Sequence, residues 1–284
     1  MKRACTIEEL HDSLPLTEHK AVLVPTMGAL HEGHFSLIRK AREIAGPHGR
    51  VAVSIFVNPI QFDRESDLAS YPCTLDKDLE ACQKLGVDIV FTPEVESVYH
   101  PDRSITIHET SLSKLLCGAT REGHFDGVCT VVAKLFNLFR PTDAVFGKKD
   151  YQQLAIIHRL VRDLNIPVTI HGAETVREED GLALSSRNVR LTQLNREQAP
   201  IIREALVAAR NAVDAGEKSA DVVKSIALNT INAVSTIPRI DYLECVDAET
   251  LEAVESIDKL TLLATAVFFG DVRLIDNIEL EPQG

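Results

Sequence analysis

The sequence predicts an α/β protein, a doubly wound parallel sheet with a smaller α+β domain toward the C-terminal end. Three observations carry that prediction. From residue 21 to about residue 171, short apolar runs alternate with segments of helical period. The runs are continuously apolar rather than alternating, the pattern of strands buried on both faces. Beyond about residue 175 the order changes to two helical segments followed by three strand-like ones.

AVLVPT (21–26) reads as the first strand and FSLIRKAREIA (35–45) as the amphipathic helix that follows it. RVAVSIFV (50–57) and VDIVFTP (87–93) are the next strands, with TLDKDLEACQKL (74–85) a helix between them. GVCTVVAKLFNLF (127–139) reads as a buried helix, DAVFG (143–147) as a strand, DYQQLAIIHRLVRDL (150–164) as an amphipathic helix and IPVTIHG (166–172) as another strand. Parallel strands joined through helices cross over right-handedly, and ligands of such sheets bind beyond the carboxyl ends of the strands. TMGALHEGH, VNPIQF, FGKKD and EEDGLALSSRN each follow a predicted strand and are expected to converge there. In the second domain REQAPIIREALVAARNAV (196–213) and SADVVKSIALNTINAV (219–234) read as helices, and RIDYLECV (239–246), TLLATAVFF (261–269) and VRLIDNI (272–278) as strands. The change of pattern puts the boundary between residues 172 and 190, and domains of 1–175 and 176–284 are expected.

Composition narrows the partners. A chain of 284 residues with 45% hydrophobic content can bury a substantial core. Its formal net charge of −12 offers no basic field for nucleic-acid phosphates or an anionic membrane, so small molecules are the expected partners. The start, MKRACTIEELHDSLPL, lacks the apolar stretch of a signal peptide, and no run approaches the ~20 apolar residues of a membrane span. A cytoplasmic location is expected. Cys5, Cys73, Cys82, Cys117, Cys129 and Cys245 form no CxxC pair and read as free thiols, mostly in the core.

Two segments carry chemistry. His31-Glu32-Gly33-His34 lies between a strand and a helix, where histidines three apart share one face and free N–H groups favour an anion. Two imidazoles there suit a triphosphate, and Gly33 leaves room for a flat ligand such as adenine against the backbone. The same pattern also fits a pair of surface histidines. A zinc site of the HExxH kind needs the histidines four apart with glutamate beside the first, which this spacing does not give. The second segment is Gly181 to Asn188, GLALSSRN, preceded by Glu178-Glu179-Asp180. Its paired hydroxyls and arginine offer donors to phosphate oxygens from a loop able to close, although such a tripeptide also makes an ordinary polar turn.

Together the two segments resemble the HIGH and KMSKS signatures of the nucleotidyltransferase superfamily that includes class I aminoacyl-tRNA synthetases, which implies a Rossmann-like sheet of the HxGH type. Within it, VPTMGALHEGH, SIFVNPIQF, YPCTLDKD, REGHFDGVCTVVAKLFNLFRP, FGKKDYQQL, DGLALSSRN and GDVRLIDN resemble, in order and over nearly the whole chain, segments of the pantothenate synthetase family. The resemblance implies an AMP-forming ligase that activates pantoate with Mg²⁺ and ATP as an acyl-adenylate, releases pyrophosphate and joins the acyl group to β-alanine, working as a homodimer. It implies catalytic roles for His31, His34, Lys149 and Arg187. For ATP it implies contacts from Met27, His31, Gly33, His34, Gly147, Lys149, Asp150, Val176, Leu184, Ser185, Ser186 and Arg187. Gln61 and Gln153 would hold pantoate, and Arg121 and His124 would sit on the same cleft. Taken singly, Lys149 and Arg121 also fit solvated surface charges, the glutamines fit polar loop or helix positions, and His124 fits a turn cap.

The sequence departs from the family pattern at Cys73, where arginine is usual, at Glu122, where proline is common, and at Lys77, inside a carboxylate-rich segment. Lys77 leaves Asp76 and Asp78 as weakened candidates near magnesium, and no residue is assigned as a metal ligand. Three other classes share part of this pattern. A nucleotidylyltransferase shares the HxGH half of the site but not the glutamine segments; a class I synthetase needs a large anticodon domain and basic surface; and a regulator that kept the fold without catalysis has no reason to keep His31, His34, Lys149 and Arg187.

Overall fold

The structure, a computed structural model, describes residues 1–14, 20–63, 65–234 and 238–282. The strands β1 (Lys2–Ala4), β2 (Ala21–Thr26), β3 (Arg50–Ile55), β4 (Ile89–Phe91), β5 (Asp143–Gly147) and β6 (Thr169–Ala173) form one sheet in the order β1-β4-β3-β2-β5-β6. Every neighbouring pair in it is parallel. From β2 the chain builds outward on one side through β3 and on the other through β5, so the order reverses between β2 and β5. That reversal opens a crevice at the carboxyl edge of the sheet.

Burial explains the strands. Val22, Leu23 and Val24 of β2 and Val51 and Val53 of β3 are closed off from solvent, as continuous apolar runs require when both faces are covered. The Glu32–Ala45 helix turns Leu37, Ile38, Ala41 and Ala45 onto Val22, Val24, Val53 and Val145. Gly46 ends it with φ +65. The His124–Phe139 helix is buried along most of its length, which fits its nearly unbroken apolar sequence.

The beginning of the chain departs from the sequence reading, which started the sheet at residue 21. β1 pairs with β4 through Lys2↔Ile89 and Ala4↔Phe91, and with three residues it is too short to show a period. A helix, Ile7–Ser13, follows it. Thr6 Oγ1 accepts the Glu9 N–H at 3.2 Å and Glu9 Oε2 accepts the Thr6 N–H at 3.4 Å. This capping box is a sequence signature present in TIEE.

The chain divides into two compact units: residues 1–113, 120–148 and 153–174, and residues 114–119, 149–152 and 175–284. The second has an antiparallel sheet, β7 (Arg239–Asp247), β8 (Thr261–Phe269) and β9 (Val272–Leu280), in that order. Along β9 Val272, Leu274, Asp276, Ile278 and Leu280 face inward, the period of two that a sheet covered on one face dictates. The helices Ile201–Asp214 and Ala220–Ile231 supply Ile202, Leu206, Val213, Val223 and Ile231 to the core that covers it. Asp276, the charged residue in that inward row, is held by both guanidinium nitrogens of Arg177 at 2.6 and 2.9 Å.

All six cysteines are free; four are buried, Cys5 is half-buried and Cys73 is exposed. Burial pushes the thiols of Cys82, Cys129 and Cys245 up to about 12, which leaves them unreactive at neutral pH. Among the described residues no helix is long and apolar enough to cross a membrane.

Candidate active site

The loop after β2 determines how the following helix begins. Thr26 Oγ1 donates to the Ser54 carbonyl at 2.8 Å and accepts the Gly28 N–H at 3.3 Å. Gly28 has φ +82, and a Cβ on it would lie 3.1 Å from Ile55 Cγ2 and 3.2 Å from Asp78 Oδ2. Ala29 also has positive φ, +50, a conformation costly for a residue with a Cβ. The N–H groups of Ala29 and Leu30 both donate to the Asp78 carboxylate at 2.9 Å, and Thr74 Oγ1 donates to it at 3.0 Å. Asp78 is 1% exposed. This corrects the view of Asp78 as a candidate near magnesium: its oxygens face inward and already accept three hydrogen bonds.

His31 is the N-cap of the Glu32–Ala45 helix. Its Nδ1 accepts the Gly33 N–H at 3.2 Å, while His34 Nδ1 accepts the His31 N–H at 3.3 Å. The two imidazoles thus form a reciprocal cap in which rings replace the usual hydroxyl and carboxylate. Their centroids are 4.2 Å apart. A ring that accepts at Nδ1 carries its proton on Nε2. The positive end of the helix dipole beside the two rings favours an anion.

Gln61 ends the short 3₁₀ turn Pro59–Gln61 after β3 and is 9% exposed. Its amide orientation follows from a chain of bonds beginning at a carbonyl that can only accept. Asn58 Nδ2 donates to Gly127 O at 3.1 Å and to Gln61 Oε1 at 2.9 Å, and Asn58 Oδ1 accepts from Tyr99 Oη at 2.9 Å. Gln61 Nε2 is therefore turned away from Asn58, 3.0 Å from Met27 Sδ. Burial pushes the Tyr99 phenol well up, so it stays a donor at any working pH.

Arg121 and His124 lie behind the same residue. His124 Nδ1 donates to the Gln61 carbonyl at 2.7 Å, which leaves Nε2 to accept from Arg121 at 3.1 Å, and Arg121 Nε pairs with Asp63 at 3.1 Å. Gly127 lets the helix approach: a Cβ there would lie 2.6 Å from Ile60 O and 2.8 Å from Gln61 N. Met27, Gln61, Arg121 and His124 are thus one connected cluster, and the loop 27–30 joins it to His31 and His34.

Gly147 ends β5 on the rim where β2 and β3 end. Lys148 pairs with Glu174 at 2.8 Å, whereas the Lys149 ammonium forms no ion pair among the described residues. Gln152 is buried, with its amide on Cys117 N and Leu115 O at 3.0 and 2.6 Å; Gln153, the pantoate candidate, is half-buried.

In the second unit lie Lys149, exposed Asp150 and the segment from Val176 to Arg187. Val176 O accepts the Leu184 N–H at 3.0 Å, Glu178 N–H reaches Leu182 O at 2.8 Å, and Gly181 turns with φ +90. Arg196 holds Glu178 and Asp180, each at 2.6 Å, and Asn188 Nδ2 bridges Glu178 Oε1 and Ala183 O at 2.9 and 3.1 Å. The acidic run is therefore a fixed base, and Ser185, Ser186 and Arg187 follow its second arm. Among the described residues no group of three or more His, Cys, Asp or Glu could hold a metal ion.

Reading one sequence missed Asn58 and Tyr99, and gave Asp78 only as a weakened candidate near magnesium rather than as a buried acceptor. Each is a buried polar group whose partner is distant in sequence, up to 69 residues for Asn58 and Gly127. The signals present were local: Asn-Pro ahead of Gln61 as a turn start, and Thr74 four residues before Asp78.

A doubly wound parallel sheet whose central strand runs into a helix capped by paired histidines defines an α/β enzyme of the HxGH nucleotidyltransferase type. The family model for pantoate-beta-alanine ligase matches residues 2–279. The chain belongs to that family and is a ligase. It is 61% identical over 259 residues to the pantothenate synthetase of Akkermansia muciniphila, covering 91% of this chain and 92% of that one. A crystal structure of pantothenate synthetase from Thermus thermophilus superposes with TM-score 0.93 at 42% identity, covering 99% of this chain and all, 100%, of the other. A structure of the pantoate-beta-alanine ligase from Francisella tularensis complexed with beta-gamma ATP and beta-alanine gives TM-score 0.80 at 33% identity, covering 98% and 97%.

Proposed function

We propose that this chain condenses pantoate with β-alanine at the expense of ATP, through a pantoyl-adenylate, with release of AMP and pyrophosphate. The observation that carries the reading is the reciprocal imidazole cap, which sets two histidine rings side by side at a helix N-terminus. A carboxylate is a poor acylating agent because oxide would have to leave. Attack of a pantoate oxygen on the α-phosphorus breaks the bond to pyrophosphate and makes a mixed anhydride, from which AMP then departs. The transition state spreads negative charge over phosphate oxygens, so fixed donors stabilise it more than the ground state.

In this reading His31, His34, Lys149 and Arg187 stabilise that charge, with Ser185 and Ser186 gripping phosphate from the loop. Met27, Gly33, Gly147, Asp150, Val176 and Leu184 line the nucleotide. Gln61 and Gln153 hold pantoate, and Arg121 and His124 fix the main chain that presents Gln61. Gln61 Nε2, held away from Asn58 and beside Met27 Sδ, supplies a donor to a substrate oxygen in this reading. Residues 1–175 act as the catalytic domain and 176–284 as the domain that brings the serine-arginine loop. Magnesium enters with ATP, and no residue of the chain is assigned as its ligand. The enzyme works as a cytoplasmic homodimer, a reading that rests on the family likeness. Neutral β-alanine amine then attacks the adenylate carbonyl.

The test is exchange of labelled pyrophosphate into ATP. Label is expected to enter ATP with enzyme, Mg²⁺, ATP, pantoate and pyrophosphate alone. Exchange that needs β-alanine, or accumulation of ADP instead of AMP, overturns the adenylate step.

A further inference from the structure

We propose that Asp78 is a positioning residue for the adenylation step, acting as a built-in anion that holds the loop 28–30 in the one shape that lets His31 and His34 cap each other. Gly28 and Ala29 are consecutive residues of positive φ, +82 and +50. Successive backbone N–H groups aimed at one point in a turn form a concavity that binds anions. Here the anion is the Asp78 carboxylate, which takes the N–H groups of Ala29 and Leu30, one on each oxygen, at 2.9 Å. The third donor, Thr74 Oγ1 at 3.0 Å, orients the carboxylate from its own helix. Burial to 1% exposure keeps water from replacing any of these bonds.

Position follows from this geometry. Left-handed backbone at Ala29 is unfavourable for a residue with a Cβ and persists only where its surroundings hold it. With the carboxylate gone, Ala29 can return to negative φ, and the chain direction into Leu30 and His31 changes with it. The His31 N–H then leaves His34 Nδ1, and the His31 ring leaves the Gly33 N–H. Asp78 touches no reacting atom in this scheme. It acts through two backbone amides on the two rings that do, and it reserves those amides so that they do not compete for the ligand's phosphates.

The inference rests on the reading that His31 and His34 hold phosphate, so its test has one readout that does not need activity. Asp78→Asn keeps the size but gives one loop N–H a neighbouring amide nitrogen instead of an oxygen. In the wild type, long-range ¹H–¹⁵N spectra of the imidazoles are expected to show both rings protonated at Nε2. In Asp78→Asn, His31 is expected to lose that pattern, and kcat for pantoate-dependent exchange to fall roughly 10- to 100-fold, the range for stranding a buried charge-assisted hydrogen bond. The KM for pantoate should stay within about twofold, because Gln61 is held by other bonds. A folded Asp78→Asn protein with both Nε2–H patterns intact and near-wild-type kcat overturns the proposal. If that variant does not fold, Thr74→Ala decides: a fall in kcat of roughly two- to fivefold at unchanged KM supports positioning, and unchanged kcat overturns it. Absence of exchange in the wild type would sink the phosphate reading instead, leaving the spectra to judge Asp78 alone.

Discussion

At the residue scale, His34 accepts the His31 N–H through Nδ1, which puts the ring proton on Nε2. His34→Ala removes one preorganised donor and half of the cap, and kcat/KM is expected to fall roughly 10²- to 10³-fold. Steady-state kinetics on the folded variant check this, and turnover near wild type would make the ring a bystander. Gln61 gives a different signature. Gln61→Ala is expected to raise the KM for pantoate roughly five- to 150-fold, the cost of stranding a buried partner. Its dissociation constant for ATP should stay within about twofold, measured by direct titration. The segments that carry the candidate residues were legible because they are short and lie beside strand ends: the paired histidines, Gln61 and Lys149 are read from spacing and resemblance. Asn58, Tyr99 and the loop-holding role of Asp78 were not, since each gains meaning from a partner 41 to 69 residues away. A single sequence records that a polar residue is present but not which buried amide it meets.

At the element scale, the Asp247 turn shows how a carboxylate holds a sheet corner. β7 ends at Asp247, whose Oδ1 accepts the N–H groups of Glu249 and Thr250 at 2.9 and 2.7 Å and whose Oδ2 pairs with Lys259. Burial alone would raise its pKa. The Lys259 ammonium and the two turn amides outweigh burial and hold it at about 2. A carboxyl whose folded value lies below its unfolded one stabilises the fold above the unfolded pKa, near 3.9, and loses that contribution as pH falls toward 2. The shift corresponds to about 2 kcal/mol at neutral pH. Asp247→Asn is therefore expected to lower stability by that order at pH 7 in urea unfolding, with the gap to wild type narrowing between pH 4 and pH 2. A gap independent of pH would show that the turn depends on shape rather than charge. Elements of clear period, β2, β3 and the Glu32–Ala45 helix, were readable because burial imposes period. β1 and the Ile7–Ser13 helix were not, since three and seven residues are too few for one.

At the scale of the whole molecule, ligand binding should register as stability. ATP at about a hundred times its dissociation constant stabilises the native state by about 2.7 kcal/mol, a rise of several degrees in Tm for a domain of this size. Thermal unfolding followed with and without Mg²⁺ and ATP checks this, and no shift at saturating nucleotide would contradict an ATP site on the folded chain. The parallel sheet has one further consequence, at its margin. β1 lies outermost and covers β4, whose Ile89, Val90 and Phe91 are all buried and apolar. Its own residues Lys2 and Arg3 are exposed, and charges on an outer strand discourage pairing with a neighbouring chain. The first five residues are therefore expected to shield the sheet margin from pairing with another molecule. Deleting them would bare an apolar strand edge with free backbone donors and acceptors, the template on which strands of separate molecules assemble. The shortened protein is expected to aggregate on heating at concentrations where the full chain stays clear, as light scattering would record.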